Sequence, residues 1–187
     1  MLIAEESTSY LMAVESLQSL PTRRTTSSSA KILHVLDGAI DIETFRGPSL
    51  TLLPGMAVSL GAGEWCSIRP RVRSRAWTIY AEEHFLRSQM GWLLPDASRV
   101  LRGHHPDDWD GRPLALSPGR EVFAKLEPLW REISRLHFDV HTPEAAATRA
   151  VELLARWVRI VTLNRPDFRS YREPCPAGAG WPDSWSA

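Results

Sequence analysis

Four arginines at alternate positions, Arg69, Arg71, Arg73 and Arg75 in SIRPRVRSRAW, are the densest run of chemistry-bearing side chains in this 187-residue chain. Alternate residues of an extended strand share one face, so the spacing predicts four guanidiniums in line with Val72 and Ala76 opposite. Guanidinium fits carboxylate and phosphate oxygens two at a time, and flanking Trp65 and Trp77 offer faces on which a planar group stacks. A bridging anion would relieve the repulsion within the row. The other reading is a basic outward face that discourages pairing between sheet edges.

The spacing Arg-x-x-x-Arg, present as Arg69/Arg73 and Arg71/Arg75, resembles the arginine element with which PilZ-type domains hold cyclic dinucleotides. That resemblance implies a nucleotide-like effector. Metal chemistry has fewer candidates. RGHHPDDWD gathers His104, His105, Asp107, Asp108 and Asp110, but in a Pro-interrupted loop without fixed ligand spacing, which reads as a polar surface loop. His137 and His141 bracket a predicted turn between helices and read the same way. Cys66 and Cys175 lack a CxxC spacing, which fits a reducing compartment better than a disulfide scaffold.

The elements that must position these groups fall into two kinds. From Lys31 to Ala81, short runs (KILHVL, AIDIETF, LTLL, MAVSL, EWCSI, RAWTIYA) are separated by Asp-Gly, Pro-Gly and Gly-Ala-Gly, which predicts antiparallel strands in a barrel or sandwich. Glu82 to Leu94 places Phe85, Leu86, Met90 and Leu93 at helical spacing before Pro95. Residues 95–120 read as a loop with one further strand at Pro113 to Ser117.

Two amphipathic helices are predicted next. Residues 121–137 carry Val122, Phe123, Leu126, Leu129, Trp130, Ile133 and Leu136, with Pro128 expected to kink the helix. Thr142-Pro143-Glu144 opens a helix to about Leu163 with Ala147, Val151, Leu154, Val158 and Val161 on one face. The tail from residue 166, rich in Pro, Gly and Ser and including Trp181 and Trp185, reads as a disordered linker. The division that follows is an N-terminal arm and first strand at 1–30, a barrel at 31–117, a helical hairpin at 118–165 and the tail.

The segment from Gly55 to Cys66 resembles the second cupin motif, in which Gly, five residues, Pro, any residue, Gly and two residues lead to His. Gly55, MAVSL, Gly61, Ala62, Gly63, Glu64-Trp65 and Cys66 keep every spacing, with Gly61 in place of the proline and Cys66 in place of the histidine. Gly38 matches the end of the first cupin motif, where His34 stands alone without a paired histidine. Metal catalysis needs about three converging ligands, so no metal, cofactor or catalysis is expected.

A barrel with a degenerate metal site, then a short helix, a loop and a helix pair, resembles the N-terminal sensing and dimerisation half of AraC-type transcription regulators over residues 20–165. The resemblance implies an α+β, cupin-like barrel holding a small effector, with a polar arm at 22–29 (Arg23 and Arg24) folding over it. The expected ligand-binding set is Arg69, Arg71, Arg73, Arg75, Trp65, Trp77, Cys66 and His34. The expected dimerisation set is Leu126, Leu129, Trp130, Ile133, Val151, Leu154 and Val158, packing two copies into a homodimer. The alternative for the helix pair is that it caps the barrel.

No helix-turn-helix follows Leu163, so operator binding is expected only through a further half. Equal numbers of basic and acidic residues, 22 each, exclude a global pull toward nucleic acid or anionic membrane. No apolar run reaches the roughly 18 residues of a span, and a cytoplasmic location is expected. Two other functions remain open at this level: a small metal-dependent cupin enzyme, such as an isomerase or dioxygenase, and a pure dimerisation module.

Overall fold

The computed structural model describes residues 10–47, 49–93, 112–139 and 142–163. Residues 102–110, His141 and the tail with Cys175, Trp181 and Trp185 lie outside these, so the readings made of them stand as expectations. Eight strands are described: β1 (Leu11–Gln18), β2 (Ala30–Asp37), β3 (Ile40–Thr44), β4 (Leu50–Leu52), β5 (Ala57–Leu60), β6 (Cys66–Pro70), β7 (Ser74–Ala81) and β8 (Leu114–Leu116). Three helices accompany them: α1 (Glu83–Leu93), α2 (Arg120–Asp139) and α3 (Pro143–Leu163).

The strands form two sheets, a five-stranded one ordered β1-β7-β2-β5-β8 and a three-stranded one ordered β4-β3-β6. All pairs are antiparallel. The architecture is α+β, an antiparallel barrel with helices on one side. Side chains alternate across each strand, and the alternation divides the apolar residues into two layers. Leu33, Val35, Val58, Leu60 and Ala76 from the large sheet meet Ile40, Ile42, Leu52 and Cys66 from the small one, filling the barrel. Ala13, Ala57, Trp77, Ile79 and Ala81 point the other way and pack on the helices.

The turn at Gly55 shows why its sequence is what it is. Its φ is +91°, the left-handed region, and a Cβ built there would lie 2.8 Å from the Arg120 nitrogen and 2.9 Å from the Gly119 carbonyl carbon. Gly119 N donates to Gly55 O at 2.9 Å, so this glycine lets the barrel turn meet the start of α2 backbone to backbone. The Asp37-Gly38 turn is as tight, with φ +82° and Ser74 against the position a Cβ would take.

Local signals also set the helix starts. The Glu82 carboxylate accepts from His84 N and Phe85 N at the head of α1, and Thr142 Oγ1 accepts from Ala145 N at the head of α3. Helix α2 continues through Pro128.

The apolar stripes of the helix pair are consumed within the chain. Leu126, Leu129, Trp130, Ile133 and Leu154 are at most 1% exposed, packed on the sheet and on each other, so they offer no surface to a second copy. The expected dimerisation set is corrected to this extent, because α2 lays its stripe on the outer face of β1 and β2 while α3 lays its own on α2 and α1. The buried face of α3 centres on Ala150, Leu153, Leu154 and Trp157, one position round from the predicted stripe, which leaves Val151 and Val158 partly exposed.

Candidate functional site at one end of the barrel

The arginine row does not form one face. Pro70 ends β6 and Ser74 begins β7, so residues 71–73 are the turn between two strands of different sheets. Arg71 donates to both Asp41 oxygens at 2.9 Å and to Thr51 Oγ1 at 3.0 Å. The Arg71 bonds first, and second the bond that Thr51 Oγ1 donates to Asp41 at 2.7 Å, hold the Asp41 carboxyl below its usual value. Arg75 instead pairs with Glu15 at 2.6 Å and with Glu127, tying β7 to β1 and α2. Arg69 lines a hollow of about 100 Å³ on the outside of the small sheet with Asp41, Glu43 and Ser67, and Arg73 is exposed in the turn. Val72 is exposed while Ala76 is inside the barrel, so they share no face either.

The remaining candidates separate in the same way. Trp65 is covered by the Arg24 guanidinium, 4.2 Å from the ring centroid, rather than stacked beside the row. Trp77 and His34 pair across β7 and β2 and both face the helices, not the barrel interior. His34 lies 4.5 Å from the Trp130 ring, 5.2 Å from Phe123 and 5.6 Å from Trp157. Burial pushes its pKa from 6.5 to about 3. The lone histidine of the first motif is thus a neutral packing residue: even positions of β2 face outward, and His34 is in phase with Ile32.

Only Cys66 among the expected ligand-binding residues lies inside the barrel, at an end where the lining turns polar. Lys31, in phase with Leu33 and Val35, points inward and sits beside Leu60 and Tyr80 in register. It is 6% exposed, and its ammonium reaches the Thr25 carbonyl at 3.5 Å. Thr44 lies opposite Cys66 in the β3–β6 ladder, in phase with Ile40 and Ile42, and its buried hydroxyl has no partner. Two residues beyond these strand ends come Arg46, after Thr44, and Glu64, before Cys66. The Glu64 carboxylate is 3% exposed, with Arg46 Nε 2.7 Å from Oε1, yet neither oxygen has an aligned hydrogen bond. Burial pushes the Tyr80 phenol above its ordinary value, with neighbouring Cys66 adding to the shift.

The segment between β1 and β2 runs beside this end. Thr22 N donates to Ile68 O at 2.8 Å, and Thr25 and Cys66 exchange backbone bonds at 2.9 and 3.0 Å. The predicted arm therefore extends the small sheet along β6. Lys31 was legible in principle, as a lysine in phase with the apolar face of KILHVL; Thr44, Arg46 and Glu64 needed the β3–β6 register, which no local pattern supplies.

The motif positions do not fit a metal. His34 points to the helices, Cys66 stands where the second motif has histidine, and among the described residues no three His, Cys, Asp or Glu side chains gather. No helix of the described residues is long and apolar enough to cross a membrane.

No family model matches the sequence, and the search of curated proteins finds no match. Among solved structures, the chain is similar to a cupin superfamily protein from Desulfitobacterium hafniense, at 14% identity and a TM-score of 0.37 over 44% of this chain and 74% of that one. It is also similar to a cupin-2 domain protein from Shewanella frigidimarina (16% identity, TM-score 0.35, 42% and 76% of the two chains). A third is the DMSP lyase DddQ from Ruegeria pomeroyi (21% identity, TM-score 0.36, 39% of each chain). Likenesses of this size carry no argument about activity, and the barrel rests on its strand pairing.

Proposed function

We propose that this chain is a ligand-sensing domain of the AraC type, holding a small effector at the polar end of its barrel without metal or catalysis. The observation that carries the reading is the gathering of buried polar side chains, Lys31, Thr44 and Glu64, beside Cys66 at one end of the barrel. A core that served stability alone would fill this end with apolar groups, because burying polar atoms without partners costs about 1–3 kcal/mol each. The arm paired along β6 and the helices docked on the opposite sheet supply the two elements such a domain uses to register occupancy. The proposal includes pairing of two copies through surfaces other than the buried helix stripes, with Val151 and Val158 at the exposed flank of α3. It also includes operator binding only through a separate helix-turn-helix half.

A thermal-shift screen of small sugars, acids and nucleotides tests the reading, since a ligand of the folded state alone raises the melting temperature. In a Cys175→Ser background, a true effector slows alkylation of Cys66, the remaining thiol. Stabilisation without protection of Cys66 would place binding elsewhere and defeat the proposal.

A further inference from the structure

Taking that barrel site as given, we infer that its ligand is a small hydroxycarboxylate, its carboxylate held by Lys31 and Thr44 and its hydroxyl donated to Glu64.

The charges decide the class. A buried ammonium is costly unless an anion or several acceptors surround it. Lys31 is 6% exposed, and the one polar partner of its ammonium among the described residues is a carbonyl at 3.5 Å, beyond ordinary hydrogen-bond length. Among the described residues no carboxylate stands within ion-pair distance of it, although Glu64 is buried at the same end of the barrel. Glu64 is already balanced by Arg46. The site therefore lacks one negative charge beside Lys31, which a carboxylate supplies.

The remaining polar atoms specify the rest of the ligand. Thr44 Oγ1 is buried without a partner and can donate to a carboxylate oxygen. The two Glu64 oxygens only accept, and neither has an aligned donor. Since Arg46 already neutralises Glu64, the donor that completes it is a neutral hydroxyl rather than a second ammonium. Leu33, Val58 and Leu60 are packed next to this end, so the non-polar part of the ligand is limited to a short carbon skeleton. Nucleotides are disfavoured, because the four arginines that would bind their phosphates lie on two sheets and a turn, with Arg71 and Arg75 already paired to carboxylates.

The test compares lactate, gluconate and mandelate with their methyl esters by calorimetry and by protection of Cys66 in the Cys175→Ser chain. The expected result is binding of at least one carboxylate, with its ester, Lys31→Met and Thr44→Val each weakening it, the first two by roughly tenfold to a hundredfold. Thr44→Val keeps the test decisive should Lys31→Met fail to fold. A neutral sugar or ester that binds wild type and Lys31→Met equally while protecting Cys66 would overturn this inference and leave the barrel site standing. Carboxylate binding that ignores Lys31 and Thr44 and leaves Cys66 reactive would overturn both. Silence from all the acids, with Cys66 protected by some other compound of the wider screen, would overturn the inference alone.

Discussion

The interior of the barrel and the layer between sheet and helices both bury polar atoms without partners, and they do so in different chemical company. In the helix layer the orphans are ring nitrogens: His34 Nδ1, Trp77 Nε1 and Trp130 Nε1, set among Phe123 and Trp157. In the barrel they are the Thr44 hydroxyl and the Glu64 carboxylate, with the weakly contacted Lys31 ammonium nearby. A neutral ring carries enough apolar surface for packing to offset its lost hydrogen bond. A hydroxyl or a charged group on a short or flexible stem does not. The same deficit is therefore a structural cost in one layer and binding potential in the other.

The comparison breaks most visibly if the aromatic layer turns out not to hold the helices. Trp130 is fully buried and touches His34, Phe123 and Trp77. Trp130→Ala is expected to cost about 3–5 kcal/mol, since large-to-small changes lose both transfer free energy and packing. Urea unfolding followed by near-ultraviolet circular dichroism measures it. A loss below about 1 kcal/mol would mean that α2 is held on the sheet by its ion pair, Glu127 with Arg75, instead.

The next effect comes from His34. The imidazole is neutral in the fold down to about pH 3, while in the unfolded chain it takes up a proton near pH 6.5. Between these values the unfolded state binds the extra proton, so stability is full above about pH 6.5 and falls as the pH drops toward 3. From pH 6.5 to 4 the loss is roughly 3 kcal/mol, at about 1.4 kcal/mol for each unit. His34→Leu should flatten this part of the stability–pH curve. An unchanged slope would assign acid sensitivity to carboxylates such as Asp41, whose lowered pKa acts in the same direction at lower pH.

On the barrel side the expected sign reverses. Lys31→Met removes a buried charge and keeps a flexible chain of similar length, so without ligand it is expected to stabilise the protein by about 1 kcal/mol. Chemical denaturation of the ligand-free protein reads this directly. Destabilisation would show that the Thr25 carbonyl and the nearby lining already satisfy the ammonium, making Lys31 a structural residue like His34.

The two layers were also unequally legible in the sequence. Strand runs, the Asp37-Gly38 and Gly55 turns, the Thr142-Pro143 cap and both long helices are local features, set by side-chain period and by backbone positions that favour glycine, and the structure has them within a few residues. The facing of those helices was not legible: the stripe of Leu126, Leu129, Trp130 and Ile133 looks the same whether it meets a second chain or the chain's own sheet. The site depended on registers between distant strands. Thr44 meets Cys66 across 22 positions of sequence, and Thr25 joins them from the arm, pairings that no window of neighbouring residues contains. The arginine row failed for a local reason: Pro70, inside the row, closes one strand, and three residues of turn intervene before Ser74 opens another.

The smallest effect follows from that last point and sharpens the contrast between surface and interior. Arg71 spans Asp41 and Thr51 on the solvent side of the small sheet, more than half exposed. Exposed pairs gain little because water screens them and two long side chains lose freedom in holding one geometry. Arg71→Ala should therefore leave the melting temperature unresolved from wild type and leave the affinity for any barrel ligand unchanged. A substantial loss of affinity would mean that the outer face of the small sheet, and not the polar end of the barrel, receives the ligand. The hollow beside Arg69, Asp41 and Glu43 would then become the place to look.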